Sequence, residues 1–186
     1  MPERGGGAMA TISWMGSLWL TRLSRPAGER PVYRQISRQR PSRILEVGLG
    51  LLVRTERLLR LAGRVAGEVS YVGLDRFEGR GSGDPPGVTL KEAHRRLHAF
   101  GRVRLLPGNP DTALARCCNQ LGKFDLVLVS ADHDPRHMER AWFFVQRLLT
   151  AEATVLCQPA ASAGWTVLPR GRIDELAART ILRKAG

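Results

Sequence analysis

The sequence predicts an α/β chain: a Rossmann-like, doubly wound, mainly parallel sheet of about five to seven strands with helices on both faces. Three observations carry this. From residue 43 onward, short β-type apolar runs alternate with helix-period stretches. The run "FDLVLVS" (124–130) is almost continuously apolar, the pattern of a strand covered on both faces. The stretch "EVGLG" (46–50) stands between the first apolar run and a leucine-rich helical pattern, where folds of this class receive ligands.

The elements follow in order. "RILEV" opens the alternation, and the leucine pattern from Leu51 to about Ala66 is the first helix of the sheet unit. "EVSYVGLD" (68–75) is the second strand, and the Gly/Pro-rich "RFEGRGSGDPPGV" (76–88) is a loop. Thr89 and Glu92 have capping-box spacing before a helix with Leu90, Ala93, Leu97 and Phe100 on one face. "RVRLL" (102–106) is the third strand, and Asp111 opens a helix to about Leu121. After "FDLVLVS", Asp134 and Pro135 match an N-cap and first helical position. "ATVLCQ" (153–158) is a fifth strand, "WTVLP" (165–169) a candidate sixth, and 172–184 reads as helix.

Residues 43–186 form the Rossmann-like unit, preceded by an extension, 1–42: a flexible tail ("MPERGGG"), an apolar segment "AMATISWMGSLWL" (8–20) and a basic, proline-punctuated connector with a short helix at 32–38. The apolar segment is too short and too polar to span a bilayer and lacks a signal-peptide pattern, so it is read as a helix packing on the domain. No membrane partner is expected.

The chain of 186 residues is long enough to bury a core as one domain. Its three cysteines, two of them adjacent, argue against a disulfide framework and for a reducing, cytoplasmic home. The net charge is +12, and only three of 29 basic residues are lysine. Arginine forks suit phosphates, so nucleic acid is one candidate partner; a solvated basic surface is the simpler reading, because the arginines are spread along the chain. Trp14, Trp19, Trp142 and Trp165 are read as packing residues.

A dinucleotide site wants G-x-G-x-x-G; from Gly48 the third glycine falls on Val53. A carboxylate two residues before Gly48 also repels a pyrophosphate but suits a ligand with a positive charge. Glu46, Gly48 and Gly50 resemble the first motif, acidic-x-Gly-x-Gly, of the class I S-adenosylmethionine-dependent methyltransferases. "YVGLDRFEGR" is similar to their second motif, and "FDLVLVSADHD" resembles the fourth in its catechol-type, "FDLIFIDADH"-like version. The likeness runs from about Arg43 to Gln158. It implies S-adenosylmethionine as cofactor, held by Glu46, Gly48 and Gly50, by Asp75 at the ribose hydroxyls, and by Asn109, after strand three, at the adenine edge. Ser130, Asp132 and His133 would face the acceptor, with His133 as the base and Asp132 either orienting the substrate or hydrogen-bonding the loop.

Ser130 stands where metal-dependent members carry an Asp, and a hydroxyl is a poor magnesium anchor; the expectation is metal-independent transfer to a small-molecule acceptor. His133 and His137 with Asp132 and Asp134 have ligand-like spacing, but Pro135 and a helix start intervene, so no metal site is assigned. Leu52 replaces a frequent third glycine. Two alternatives stay open: a catalytically degenerate binding or scaffold protein, and an RNA-modifying enzyme using arginine-rich residues 22–43 as a phosphate-tracking arm.

Overall fold

The computed structural model describes residues 13–161 and 163–182. The expected tail, 1–7, and the first part of the apolar segment lie outside the described residues. Six strands form one sheet in the order β3-β2-β1-β4-β5-β6: β1 (Arg43–Val47), β2 (Ser70–Asp75), β3 (Arg102–Pro107), β4 (Phe124–Val129), β5 (Leu149–Cys157) and β6 (Thr166–Val167). The first five are parallel, and the two-residue β6 closes the edge antiparallel to β5. Strand order reverses between β1 and β4, which creates the switch point in front of their carboxyl ends.

Seven helices cover the described sheet: α1 (Trp14–Arg22), α2 (Arg30–Gln39), α3 (Val53–Ala66), α4 (Leu90–Leu97), α5 (Pro110–Leu121), α6 (Pro135–Arg147) and α7 (Arg170–Leu182). Strand alternation divides the core. Ile44, Tyr71 and Leu126 join Val32, Tyr33, Ile36, Leu58 and Leu97 on the α2–α4 face. Leu45, Val47, Val72 and Val127 join Leu114, Met138 and Ile173 on the α5–α7 face. The helix expected at 32–38 is therefore a full element whose face is buried in the shared core, and Arg30 and Arg34 donate to the Ser24 and Thr21 carbonyls at 3.1 and 3.0 Å.

Local signals act as their chemistry requires. Asp134 caps α6 by accepting from the Arg136 N–H. Thr89 caps α4 through the Glu92 N–H at 3.1 Å, but the Glu92 carboxylate turns to Arg96, so only half of the capping box forms. α5 begins at Pro110, with Asn109 at the cap position making no side-chain cap bond. Trp142 and Trp165 are buried, as expected of packing residues, whereas Trp19 is 44% exposed; α1 is too short to sink both of its sides into the core.

Candidate active site

The β1–α3 connection is a left-handed turn with φ of +80° at Gly48, +58° at Gly50 and +66° at Leu52. Glycine adopts such angles freely; leucine does so under strain. Space also demands glycine: a Cβ on Gly48 would lie 2.3 Å from Ser130 Oγ, and one on Gly50 3.0 Å from Asp132 Oδ2. The glycines thus let the turn pass directly under the end of β4.

Glu46 is placed differently from the expectation that it contacts a ligand. β1 runs on to Val47, so Glu46 lies inside the sheet on the Ile44 face and is fully buried. Its Oε1 accepts from Arg54 Nε at 2.8 Å, and its Oε2 from Thr55 Oγ1 at 3.0 Å and Tyr71 Oη at 2.7 Å. Gly73, opposite Glu46 on β2, leaves the room that the Tyr71 ring and Leu49 fill. Burial disfavours the charged Arg54, but the adjacent Glu46 carboxylate outweighs it and holds the guanidinium ionised. Arg54 also donates to the Gly48 carbonyl at 2.6 Å and lies 4.9 Å from the centre of the Trp165 ring. The carboxylate therefore acts on the turn through an arginine that sequence reading did not single out. Its placement at the start of a helix facing the sheet was the available signal.

Asp75 ends β2 beside the same turn. Its Oδ2 accepts from the Leu49 and Gly50 N–H groups at 2.8 and 3.4 Å, and its Oδ1 from the Phe77 N–H at 2.9 Å. Arg80 then clasps both oxygens at 3.1 and 2.6 Å, donates to the Pro85 carbonyl, and lies under Gly87, where a Cβ would come within 2.4 Å of its Nε. The 76–88 loop is thereby folded over Asp75. Arg80, like Arg54, was missed, because nothing local marks one arginine among many.

At the end of β3, Asn109 Oδ1 is buried and has no hydrogen-bond partner, an unusual state for a polar atom. Nearby, Asp111 joins α5 to α6: its Oδ1 lies 2.9 Å from His137 Nδ1 and its Oδ2 accepts from Arg140 Nε at 2.6 Å. Burial opposes ionisation of Asp111, yet these donors win and its pKa lies below the usual 3.8. His137 is thus committed to an interhelical contact with Asp111 and Arg140.

At the end of β4, Ser130 is fully buried; its Oγ donates to the Gly48 carbonyl at 2.9 Å and accepts from the Asp132 N–H at 3.1 Å. Asp132 borders a cavity of about 260 Å³ shared with Arg54, Glu29 and Gln158. His133 lines a second cavity of about 260 Å³, whose wall includes Met138, Trp142 and Cys157. Its Nδ1 is buried without a partner, and burial pushes its pKa below 6.5. Among the described residues, no three His, Cys, Asp or Glu side chains converge as metal ligands, and no helix is long and apolar enough to cross a membrane.

The strand ends therefore bring Gly48, Gly50, Asp75, Ser130 and Asp132 into one hydrogen-bonded turn, flank it with Asn109 and His133, and set Glu46 behind it. Solved structures share this architecture. TomG, an O-methyltransferase of tomaymycin synthesis from Streptomyces achromogenes crystallised with S-adenosylmethionine, is 15% identical and superposes with a TM-score of 0.55 over 96% of this chain and 81% of its own. A putative O-methyltransferase from Klebsiella pneumoniae is 13% identical, TM-score 0.52, over 92% and 75% of the two chains. MycE, a methyltransferase of mycinamycin biosynthesis crystallised with Mg and S-adenosylhomocysteine, is 18% identical, TM-score 0.50, over 77% of this chain. This chain spans 38% of MycE's length. No family model and no curated protein matches the sequence. At these identities the likeness shows the fold alone, a Rossmann-like α/β sandwich with a mostly parallel six-stranded sheet that these solved methyltransferases share.

Proposed function

We propose that the protein is a class I methyltransferase that binds S-adenosylmethionine and methylates a small-molecule acceptor without a metal. The observation that carries this is the unpartnered, buried Asn109 Oδ1 beside a glycine turn tied to the Asp75 carboxylate at the switch point. An acceptor atom without a donor fits the exocyclic amine of an adenine, and a carboxylate at the end of β2 fits a ribose diol. The glycine turn admits close approach of a ligand to backbone N–H groups. When bound, the cofactor supplies an electrophilic methyl group on a sulfonium.

The chain contributes binding, orientation and exclusion of water. Asp132, beside Gly50, favours a ligand with positive charge. Burial lowers the pKa of His133 and favours its neutral form, so its imidazole, which borders the cavity, can take the proton of an acceptor hydroxyl. Met138, Trp142 and Cys157 give the adjoining cavity an apolar wall suited to a compact acceptor. Ser130 is neutral and already spends its hydroxyl on Gly48 and Asp132, which supports chemistry without magnesium.

One observation favours the second reading, a binding or scaffold protein without turnover. Arg80 occupies both oxygens that a ribose diol would use, and Arg54 takes the Gly48 carbonyl. The RNA reading draws less support, since Arg30, Arg34 and Arg43 of the 22–43 segment are engaged on backbone carbonyls. Calorimetric titration with S-adenosylmethionine and S-adenosylhomocysteine, for the wild type and Asp75→Ala, separates these. Binding that the variant loses, followed by methylation in an acceptor screen, supports the enzyme. Binding without turnover supports the scaffold, and no binding by folded protein removes the cofactor reading.

A further inference from the structure

Seven large hydrophobic residues are exposed among the described residues, and six of them lie in two segments: Met15, Leu18, Trp19 and Leu23 on and just after α1, and Leu51 and Val53 at the start of α3. On α1 the spacing 15, 18, 19 puts them on one stripe, which faces solvent while Leu20 enters the core at 2% exposure. The two segments meet. Arg57 lies one helical turn beyond Val53, on the same side of α3, and its guanidinium is 5.8 Å from the Trp19 ring centre. The patch therefore runs from α1 across Arg57 to Val53 and Leu51, beside the Gly48–Gly50 turn. Six exposed large apolar side chains gathered in two segments bridged by one arginine are unusual on a protein that meets only water.

Charge selects what covers it. Residues 13–28 contain no acidic side chain. Arg22 and Arg25 are exposed at the end of the stripe and have no side-chain ion pair among the described residues. The nearest carboxylate, Glu29, is half-buried and already shared by Tyr33 Oη at 2.7 Å and Arg57 at 3.6 Å. With a chain charge of +12, a second copy would bring like charges together at the rim. A helix of nine residues is also too short to cross a bilayer.

We infer that the α1 stripe and the start of α3 form a docking surface for an anionic lipid membrane. The apolar side chains enter the interface, Trp19 lies at headgroup level, and Arg22 and Arg25 reach the lipid phosphates and carboxylates. Docked this way, the mouth of the Gly48–Gly50 turn, next to Leu51, faces the lipid. The inference does not rest on the methyl-transfer reading, because it uses none of the residues assigned to it.

The test is co-sedimentation of the full chain with vesicles of phosphatidylcholine alone and of phosphatidylcholine mixed with phosphatidylserine. The expected result is binding to the mixed vesicles, weakened at least about tenfold by Leu18→Ser/Trp19→Ser and likewise by Arg22→Gln/Arg25→Gln, because both apolar insertion and charge contribute. All of these positions are exposed, and circular dichroism with thermal melts confirms that the variants fold. Three outcomes overturn the inference: no binding to the mixed vesicles, binding indifferent to Leu18→Ser/Trp19→Ser, or a solution dimer that this variant abolishes. The last would assign the stripe to a second copy of the chain.

Discussion

Arg80→Ala is expected to move stability and ligand affinity in opposite directions. The Arg80–Asp75 pair is nearly buried, with side-chain exposures of 10% and 3%, and is bidentate. Removing one partner of a buried pair is most costly when the other is left unpaired. Asp75 is not left so, because the Leu49, Gly50 and Phe77 N–H groups still serve it. The loss is then that of a charge-assisted hydrogen-bonded contact, about 1.5–3 kcal/mol. On the methyl-transfer reading, a ribose diol must first break the same contact. A site that has to open before binding loses affinity by the opening free energy, so removing Arg80 should tighten S-adenosylhomocysteine binding roughly 10- to 100-fold. Calorimetry beside a thermal melt reads both quantities. A lower melting temperature with unchanged or weaker binding would refute the argument, since Arg80 would then not stand in the ligand's place. Absence of binding in both proteins would count against the cofactor site itself.

Three further outcomes follow from the same geometry. Glu46→Gln keeps the shape but leaves the buried Arg54 without its counter-charge, and a loss of about 3–5 kcal/mol in urea unfolding is expected; a change within about 1 kcal/mol would show that Arg54 finds another partner. Leu52→Gly relieves a left-handed residue, a gain of about 1–2 kcal/mol, but deletes a fully buried side chain at a cost of about 2–5 kcal/mol. Net destabilisation is expected, and a more stable variant would mean that the missing glycine is a defect. His133 has a folded pKa below its ordinary 6.5, so the unfolded chain takes up its proton first. Its contribution is therefore present above pH 6.5 and is lost as pH falls through the folded value. His133→Gln should flatten that part of the stability profile and, on the methyl-transfer reading, remove the acid limb of the rate.

Much of this was legible in the sequence for stated reasons. The continuous apolar run 124–130 could only be a doubly covered strand, and Asp134-Pro135 could only open a helix cheaply, because both signals are local. Gly48 and Gly50 were legible because a tight turn under another strand end excludes a Cβ. Glu46 was read as facing a ligand because a carboxylate two residues before a glycine turn carries no local mark of which sheet face it takes. It shares the face of Ile44, two residues earlier, and that face is covered by helices, so its side chain is buried. Trp19 was read as packing because composition cannot tell which side of a short helix the rest of the chain will cover.

The order and type of the elements and the position of the glycine turn are thus written in the sequence, since periodicity, caps and turn chemistry act over a few residues. Which charges meet was decided only in three dimensions. Arg54 and Thr55 come from α3, Tyr71 from β2, and all three converge on Glu46. Arg80 returns through an irregular loop to Asp75, and Arg57 joins two helices into one apolar surface. With 29 basic residues to choose from, no local rule selects these partners. Close packing does, because a buried carboxylate must be matched by whichever donors the folded chain brings within reach.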